Sequence, residues 1–229
     1  IAAVAATSQT IANEAARLIE VEYKILKPVM NIKTAEKEET PIIDKNIFTE
    51  GLNQPVKKPS NIAKKVEFVL GDPEKTFKRA EIVVNRKYST QTVHQGYIEP
   101  HACAASYTKD NQATIWCSSQ GAFMVRAYTA KLCGLETSRI KVIPAEIGGG
   151  FGGKTTIYLE PLAVKLSQKT GRPVKIVMNR TEVMRATGPT SGGTAHVKLG
   201  ADKKGNFIAG LVELKYEAGA FAGSPVGLG

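Results

Sequence analysis

The chain has 229 residues, enough for one large domain or two small ones, and with 42% hydrophobic and 23% charged residues it can bury a core and is not disordered by composition. Its formal charge is +10, and residues 121–229 hold 15 Lys and Arg against 7 Asp and Glu, an excess that suits an anionic ligand or an acidic partner as well as an ordinary solvated surface. No polybasic run is interleaved with aromatics, which make up 7%, and no stretch approaches the roughly 20 apolar residues of a membrane helix, so nucleic acid and membrane are both excluded as partners.

From Thr7 to Ile19, apolar Ile11, Ala12, Ala15, Ala16 and Ile19 recur at helical spacing and predict an amphipathic helix; "VEYKIL" alternates and predicts a strand. Residues 27–61 hold four prolines and no sustained period, a long connection expected to mark a domain boundary. Structure resumes at "KKVEFVLG", and Asp72-Pro73-Glu74 reads as a helix start: cap, N1 proline, acidic first turn. Strands are expected over Glu81–Thr92, His101–Tyr107 and Ala113–Cys117, then a helix over Gly121–Cys133 stopped by Gly134. "RIKVIPAEI" is a strand leading into a glycine loop, followed by an expected helix over Lys154–Thr170, a strand "PVKIVMN", a short helix over Thr181–Thr187, and a hairpin turning at Asp202–Gly205. Strands and helices mix without strict alternation, so the expected class is α+β. The cysteines, Cys103, Cys117 and Cys133, lie 14 and 16 residues apart with no C-x-x-C, so they cannot alone build a zinc ribbon or iron–sulfur cluster. Their odd, sparse number fits a reducing cytoplasm, where they serve as small buried hydrophobes.

The loop "IGGGFGGKT", Ile147–Thr155, satisfies two nucleotide patterns. Gly148, Gly153, Lys154 and Thr155 fit the P-loop, and Gly148, Gly150 and Gly153 fit the dinucleotide fingerprint. A strand before and a helix after supply the context, with about half a positive charge at the helix N-terminus. The second halves are missing. A P-loop enzyme needs an aspartate after an apolar strand, but "VKIVMN" ends in Asn179. A dinucleotide site needs an acid some 20 residues on, where the chain reads Thr170-Gly171-Arg172-Pro173. Phe151 is also a large apolar group inside a supposed phosphate cradle.

Three stretches, "VHQGYIEPHACAASY", "WCSSQGAFMVRAYTAKLCGLETSRIKVIPAEIGGGFGGK" and "EPLAVKLSQKTGRPVKIVMNRTEVMRATGPT", in this order resemble the molybdenum-binding subunit of the xanthine dehydrogenase, aldehyde oxidase and carbon monoxide dehydrogenase family. "NEAARLIEVEY" resembles the tail of the hammerhead domain that precedes it, and the ending "EAGAFAGSP" is closer to the carbon monoxide dehydrogenase-like and bacterial multi-subunit branches. The resemblance implies an α/β hammerhead end over residues 1–35, a linker over 36–62, and the first part of a molybdopterin-binding domain, with mixed sheets and packed helices, over 63–229. With no initiating methionine and no closing element, the chain reads as an interior piece. In this family the G-G-G-F-G-G loop lies beside the molybdenum. Gly149, Gly150, Phe151 and Gly152 are therefore the implied cofactor-binding residues, with Phe151 also facing substrate. Gln95, four residues before Glu99, takes the place of the family's glutamine near the metal, at a slightly different offset. Thr155 stands where purine-oxidising relatives have a substrate-binding glutamate, so purine recognition does not carry over.

The resemblance further implies a molybdenum–molybdopterin cofactor, simple or in dinucleotide form, and electrons leaving through [2Fe–2S] clusters and FAD on other domains or subunits. It implies a small-molecule substrate and an oligomeric cytoplasmic enzyme. No residue here is expected to be catalytic or to ligate metal, since the family's general base is a glutamate near the end of the subunit; the isolated piece is expected to be inactive. The alternatives are a P-loop ATPase and an inactive family member acting as a scaffold. Elsewhere, Glu99 and His101 would share a strand face with Gln95 while His94 points away, a poor ligand set. Ser118 and Ser119 read as helix caps, and Arg126, Lys131 and Lys154 as surface groups or phosphate counter-charges.

Overall fold

The computed structural model describes residues 1–220. The chain from Phe221, with most of "EAGAFAGSP", lies outside them. In chain order the elements are helices α1 (Gln9–Arg17), α2 (Ile32–Ala35) and α3 (Pro73–Phe77), strands β1 (Ile82–Thr90), β2 (Ala102–Tyr107) and β3 (Ala113–Cys117), then α4 (Ala122–Cys133), β4 (Ile140–Pro144), α5 (Glu160–Thr170), β5 (Val174–Val177), α6 (Arg180–Ala186), β6 (Gly193–Ala201) and β7 (Phe207–Tyr216). They form two compact units, each discontinuous in sequence: Ile1–Lys24 with His94–Thr190, and Ile25–Val93 with the chain from Ser191.

The first unit is built on a mixed four-stranded sheet in the order β4-β3-β2-β5. β2 pairs antiparallel with β3 and β5, while β3 and β4 are parallel, joined by α4 as the crossover. β3 alternates, with Ala113, Ile115 and Cys117 buried, and the helices supply a second layer through Val125, Ala163 and Val164, all fully buried. Gly134 ends α4 in the left-handed region at φ 66°, its N–H bonding the carbonyls of Ala130 and Lys131. Ser167 of α5 accepts the Tyr107 N–H at 2.9 Å and donates to Arg172 O at 2.7 Å, so a buried hydroxyl ties the helix to β2. All three cysteines are buried and free. Burial pushes the Cys117 thiol up to about 12 and raises Cys103 and Cys133 as well, which suits small core groups rather than nucleophiles.

The second unit carries a three-stranded antiparallel sheet, β1-β6-β7, with the β6–β7 hairpin turning at Asp202, whose carboxylate accepts the N–H groups of Lys204 and Asn206. α3 starts as expected: Asp72 caps the Lys75 N–H at 2.9 Å, with Pro73 in the first turn. Phe77, at its end, is buried; a Cβ on Gly200 of β6 would meet its ring at 3.1 Å.

Three expectations fail. "VEYKIL" is not a strand, because it finds no ladder partner among the described residues. "KKVEFVLG" forms no strand either, apart from a single bridge between Lys64 and Glu50. The helix expected from Lys154 begins at Glu160. Pro161, in its first turn, has no N–H to donate to the turn before it, so a helix running on from Lys154 would lose that bond; residues 151–154 are instead a chain of turns.

Candidate functional site

The glycine loop runs from the end of β4 toward α5, and two side-chain oxygens hold it. Glu99 Oε2 accepts the Gly148 N–H at 2.9 Å and the Lys154 ammonium at 2.5 Å, while the Glu99 N–H donates to Gly148 O. Gln120 Oε1 accepts the N–H groups of Gly152 and Lys154, each at 3.1 Å. The Lys154 carbonyl accepts the Gln120 N–H at 2.8 Å and the Ser119 hydroxyl at 3.2 Å. The glycines permit this closeness. A Cβ would fall 2.4 Å from Gln120 Oε1 at Gly150, and 2.7 Å from Glu99 Cβ at Gly148 and from Tyr97 Cε1 at Gly153.

At the tip, Phe151 sits at φ 50°, uncommon for a large side chain, and Gly152 at φ 86°. Phe151 is 74% exposed. Among the described residues, the N–H groups of Gly149, Gly150 and Phe151 have no acceptor within the chain. Thr155 folds back, donating to Gly152 O at 3.1 Å.

Below the loop lies a buried polar network. Tyr97 Oη is 2.7 Å from His101 Nε2 and 3.3 Å from Thr187 Oγ1, and Thr187 donates to Val183 O at 2.6 Å. His94 Nε2 is 3.0 Å from Thr187 Oγ1, and its Nδ1 accepts the Gly96 N–H. Burial, reinforced by the charges of Lys154 and His94, lowers His101 to about 4, so it is neutral at physiological pH. Burial raises Tyr97. For Glu99, burial pulls upward, but the bonds from Lys154 and Gly148 outweigh it and leave the carboxyl below its ordinary range. Gln95 donates through Nε2 to Gly188 O at 3.3 Å, and its Oε1 is buried without a partner. A Cβ on Gly153 would meet that oxygen at 3.1 Å, so the glutamine lies against the loop. Arg180 reaches back from α6 to the carbonyls of Tyr97 and Ile98.

The structure therefore gathers Gln95, Gly149, Gly150, Phe151, Gly152 and Thr155 in one place. It corrects several readings. Lys154 is fully buried against Glu99 and over the Tyr97 ring, neither a surface group nor a phosphate counter-charge. No helix N-terminus faces the loop, because α5 starts six residues later. With its lysine and four of its N–H groups bound internally, the loop offers no P-loop cradle. The segment around Gln95 is not a strand but a turn at Gly96, φ 66°, so facing rules for strands do not apply: Glu99 goes to the loop, and His94 and His101 join one network. Ser119 accepts the Gly121 N–H but does not cap α4, whose N-cap is Gly121 without a side-chain bond. No group of three or more His, Cys, Asp or Glu able to hold a metal gathers among the described residues, and no helix there is long and apolar enough to cross a membrane. Sequence reading missed Tyr97, Gln120, Thr187 and Arg180, each of which has a partner more than 30 residues away, beyond any local pattern.

The first unit thus presents a mixed α/β scaffold whose glycine loop leaves backbone donors open beside an exposed phenylalanine. Residues 54–228 match the molybdopterin cofactor-binding domain, and the chain belongs to that family. It is 31% identical, over 96% of its length, to a probable hypoxanthine oxidase of Escherichia coli, of which it spans 26%. It is 32% identical, over 97%, to the large molybdopterin subunit of nicotinate dehydrogenase from Eubacterium barkeri, spanning 49% of it. The chain thus spans between about a quarter and a half of these curated relatives. Among solved structures, quinoline 2-oxidoreductase from Pseudomonas putida superposes with a TM-score of 0.75 at 26% identity, covering 91% of this chain and 25% of that one. The aldehyde oxidoreductase of Desulfovibrio gigas, at 23% identity, shares the fold with a TM-score of 0.77, covering 92% of this chain and 22% of that one.

Proposed function

We propose that this chain supplies one wall of a molybdenum–molybdopterin site in a hydroxylase-type oxidoreductase acting on an N-heteroaromatic, aldehyde or similar small substrate. The observation that carries the reading is the loop tip: three successive N–H groups without acceptors, from Gly149 to Phe151, beside an exposed aromatic ring. The donor set fits an anionic, oxygen- and sulfur-rich cofactor. Gln95 Oε1, buried and unpartnered next to the loop, adds an acceptor for a donor group on it. Gly149, Gly150, Gly152 and Gln95 would hold the cofactor. When bound, it supplies the two-electron oxidation of a C–H bond with oxygen from water. Phe151 excludes water and stacks on a flat substrate, and Thr155 offers a neutral hydroxyl where a carboxylate would read a purine. Relatives named for hypoxanthine, nicotinate and quinoline support a nitrogen heterocycle.

In this reading, residues 1–35 end a hammerhead domain, 36–62 link, and 63–229 open the cofactor domain; electrons pass to [2Fe–2S] and FAD on other domains or subunits of an oligomeric cytoplasmic enzyme. A dinucleotide form of the pterin is consistent with the chain's excess positive charge. The isolated chain, with a single wall and no base beside the substrate, is expected to hold no molybdenum; near-stoichiometric metal in the purified chain would overturn that placement. In the parent enzyme, Phe151→Ala should lower kcat/KM for a heterocycle roughly 10- to 100-fold and Gly150→Ala should reduce molybdenum content. If both leave kinetics and metal unchanged, the site is elsewhere.

A further inference from the structure

We infer that Glu99 and Lys154 are positioning residues: their charge pair, with the lysine fully buried, latches the two ends of the glycine loop together and thereby holds the Gly149–Phe151 donors in their open arrangement. A single oxygen, Glu99 Oε2, receives both the Gly148 N–H, at 2.9 Å, and the Lys154 ammonium, at 2.5 Å. The loop is therefore closed at its base by one atom. The lysine side chain is entirely buried, 0% against 33% for Glu99, so its charge has no water to fall back on and Glu99 is the carboxylate that answers it. Tyr97 lies beneath, its ring centroid 5.1 Å from the ammonium. The backbone at Lys154 is pinned independently: its N–H to Gln120 Oε1 and its carbonyl to Gln120 N–H and Ser119 Oγ. Lys154 thus couples the loop base to the segment after β3, and Glu99 couples it to the segment before β2. The two clips and the Gly153-to-Gly150 bond at 2.7 Å use the N–H groups of Gly148, Gly152, Gly153 and Lys154, and leave the three successive tip donors without an acceptor in the chain.

The latch stands on this geometry; its consequence for a bound pterin rests on the proposed function. It is tested in the cofactor-free chain by native-state hydrogen exchange and amide NMR on wild type, Lys154→Met, Glu99→Gln and the double variant. Lys154→Met should speed exchange at Gly148 at least tenfold and shift the Gly149–Phe151 amides, with Ile115 in the core unchanged. Glu99→Gln should be worse, because it leaves the ammonium buried and unanswered. The double variant, carrying neither charge, should recover much of the protection lost in Glu99→Gln, a rescue that independent structural damage does not produce. Uniform acceleration across loop and core, additive losses in the double variant, or no change at Gly148 would each overturn the latch. Molybdenum content of the parent enzyme is measured separately: its absence in wild type would defeat the proposed function while leaving the exchange result intact.

Discussion

The sheets of the two units show what a second layer does. In the first, β3 buries Ala113, Ile115 and Cys117, with Ile115 at 0% exposure under the helices. In the second, every residue of β1 is exposed. Register places Val84 opposite Leu199 and Tyr88 opposite Ala195, with Leu214 next on β7, so Ile82, Val84, Tyr88, Val212 and Leu214 share one face. Each is between 47% and 61% exposed. The opposite face, through Lys198 and Gly200, meets Phe77 of α3. Both sheets have apolar faces, but among the described residues only the first has helices enough to cover one. Strand pairing alone leaves the apolar face in water.

The comparison predicts a hierarchy of effects. Ile115→Ala should cost about 2–5 kcal/mol, as a buried cavity does, whereas Val84→Ala should cost under about 1 kcal/mol; equal losses in urea unfolding would mean that the exposed sheet is covered. Next in size is pH. His101 titrates at about 4 against an ordinary 6.5 because burial disfavours its cation. The unfolded chain therefore binds a proton that the folded chain refuses, so stability is complete above pH 6.5 and falls toward pH 4, by up to about 3 kcal/mol. Glu99, held below its ordinary 4.5, adds its loss only beneath that value, so above it the slope reports His101 without Glu99. His101→Gln should flatten the slope between pH 6.5 and 4.5; an unchanged slope would assign it to another group.

Within the loop, Gly150→Ala would drive its methyl into Gln120 Oε1, 2.4 Å away, and strip the clip from Gly152 and Lys154. A loss of about 1–3 kcal/mol is expected, with the Gln120 side-chain amide resonances moving toward free values. Gly152→Ala meets nothing within 4 Å and is strained only by its φ of 86°, so it should cost about 1 kcal/mol. The smallest effect is Leu214→Lys on the exposed sheet: stability should change by less than about 1 kcal/mol while binding of an apolar dye falls. An undiminished dye signal would place the exposed apolar surface elsewhere, as on α4, where Phe123 is 85% and Leu132 65% exposed.

Much of the fold was legible because it is local. Asp72 before Pro73, Gly134 after Cys133 and Asp202 in its hairpin each use their own backbone or side chain within a few residues, and each stands where the sequence puts it. The loop and its five glycines were legible for the same reason. Their partners were not. "VEYKIL" has the alternation of a strand, but a ladder needs a neighbour, and alternation does not supply one. Gln95 was connected to the loop only through resemblance; what brings it there is the turn at Gly96.

The sequence by itself determined the order of elements, their caps and turns, and a glycine-rich backbone able to approach its surroundings closely, because φ preferences and side-chain periodicity act over a few residues. Tertiary structure alone decided what the glycines approach. Lys154 reads as a solvated cation until Glu99, 55 residues away, is brought to its ammonium and water is shut out. Charge pairing and burial depend on distance in space, which a linear pattern does not carry. That is why a motif resembling a phosphate cradle became a loop tied to its own chain, with only its tip left open.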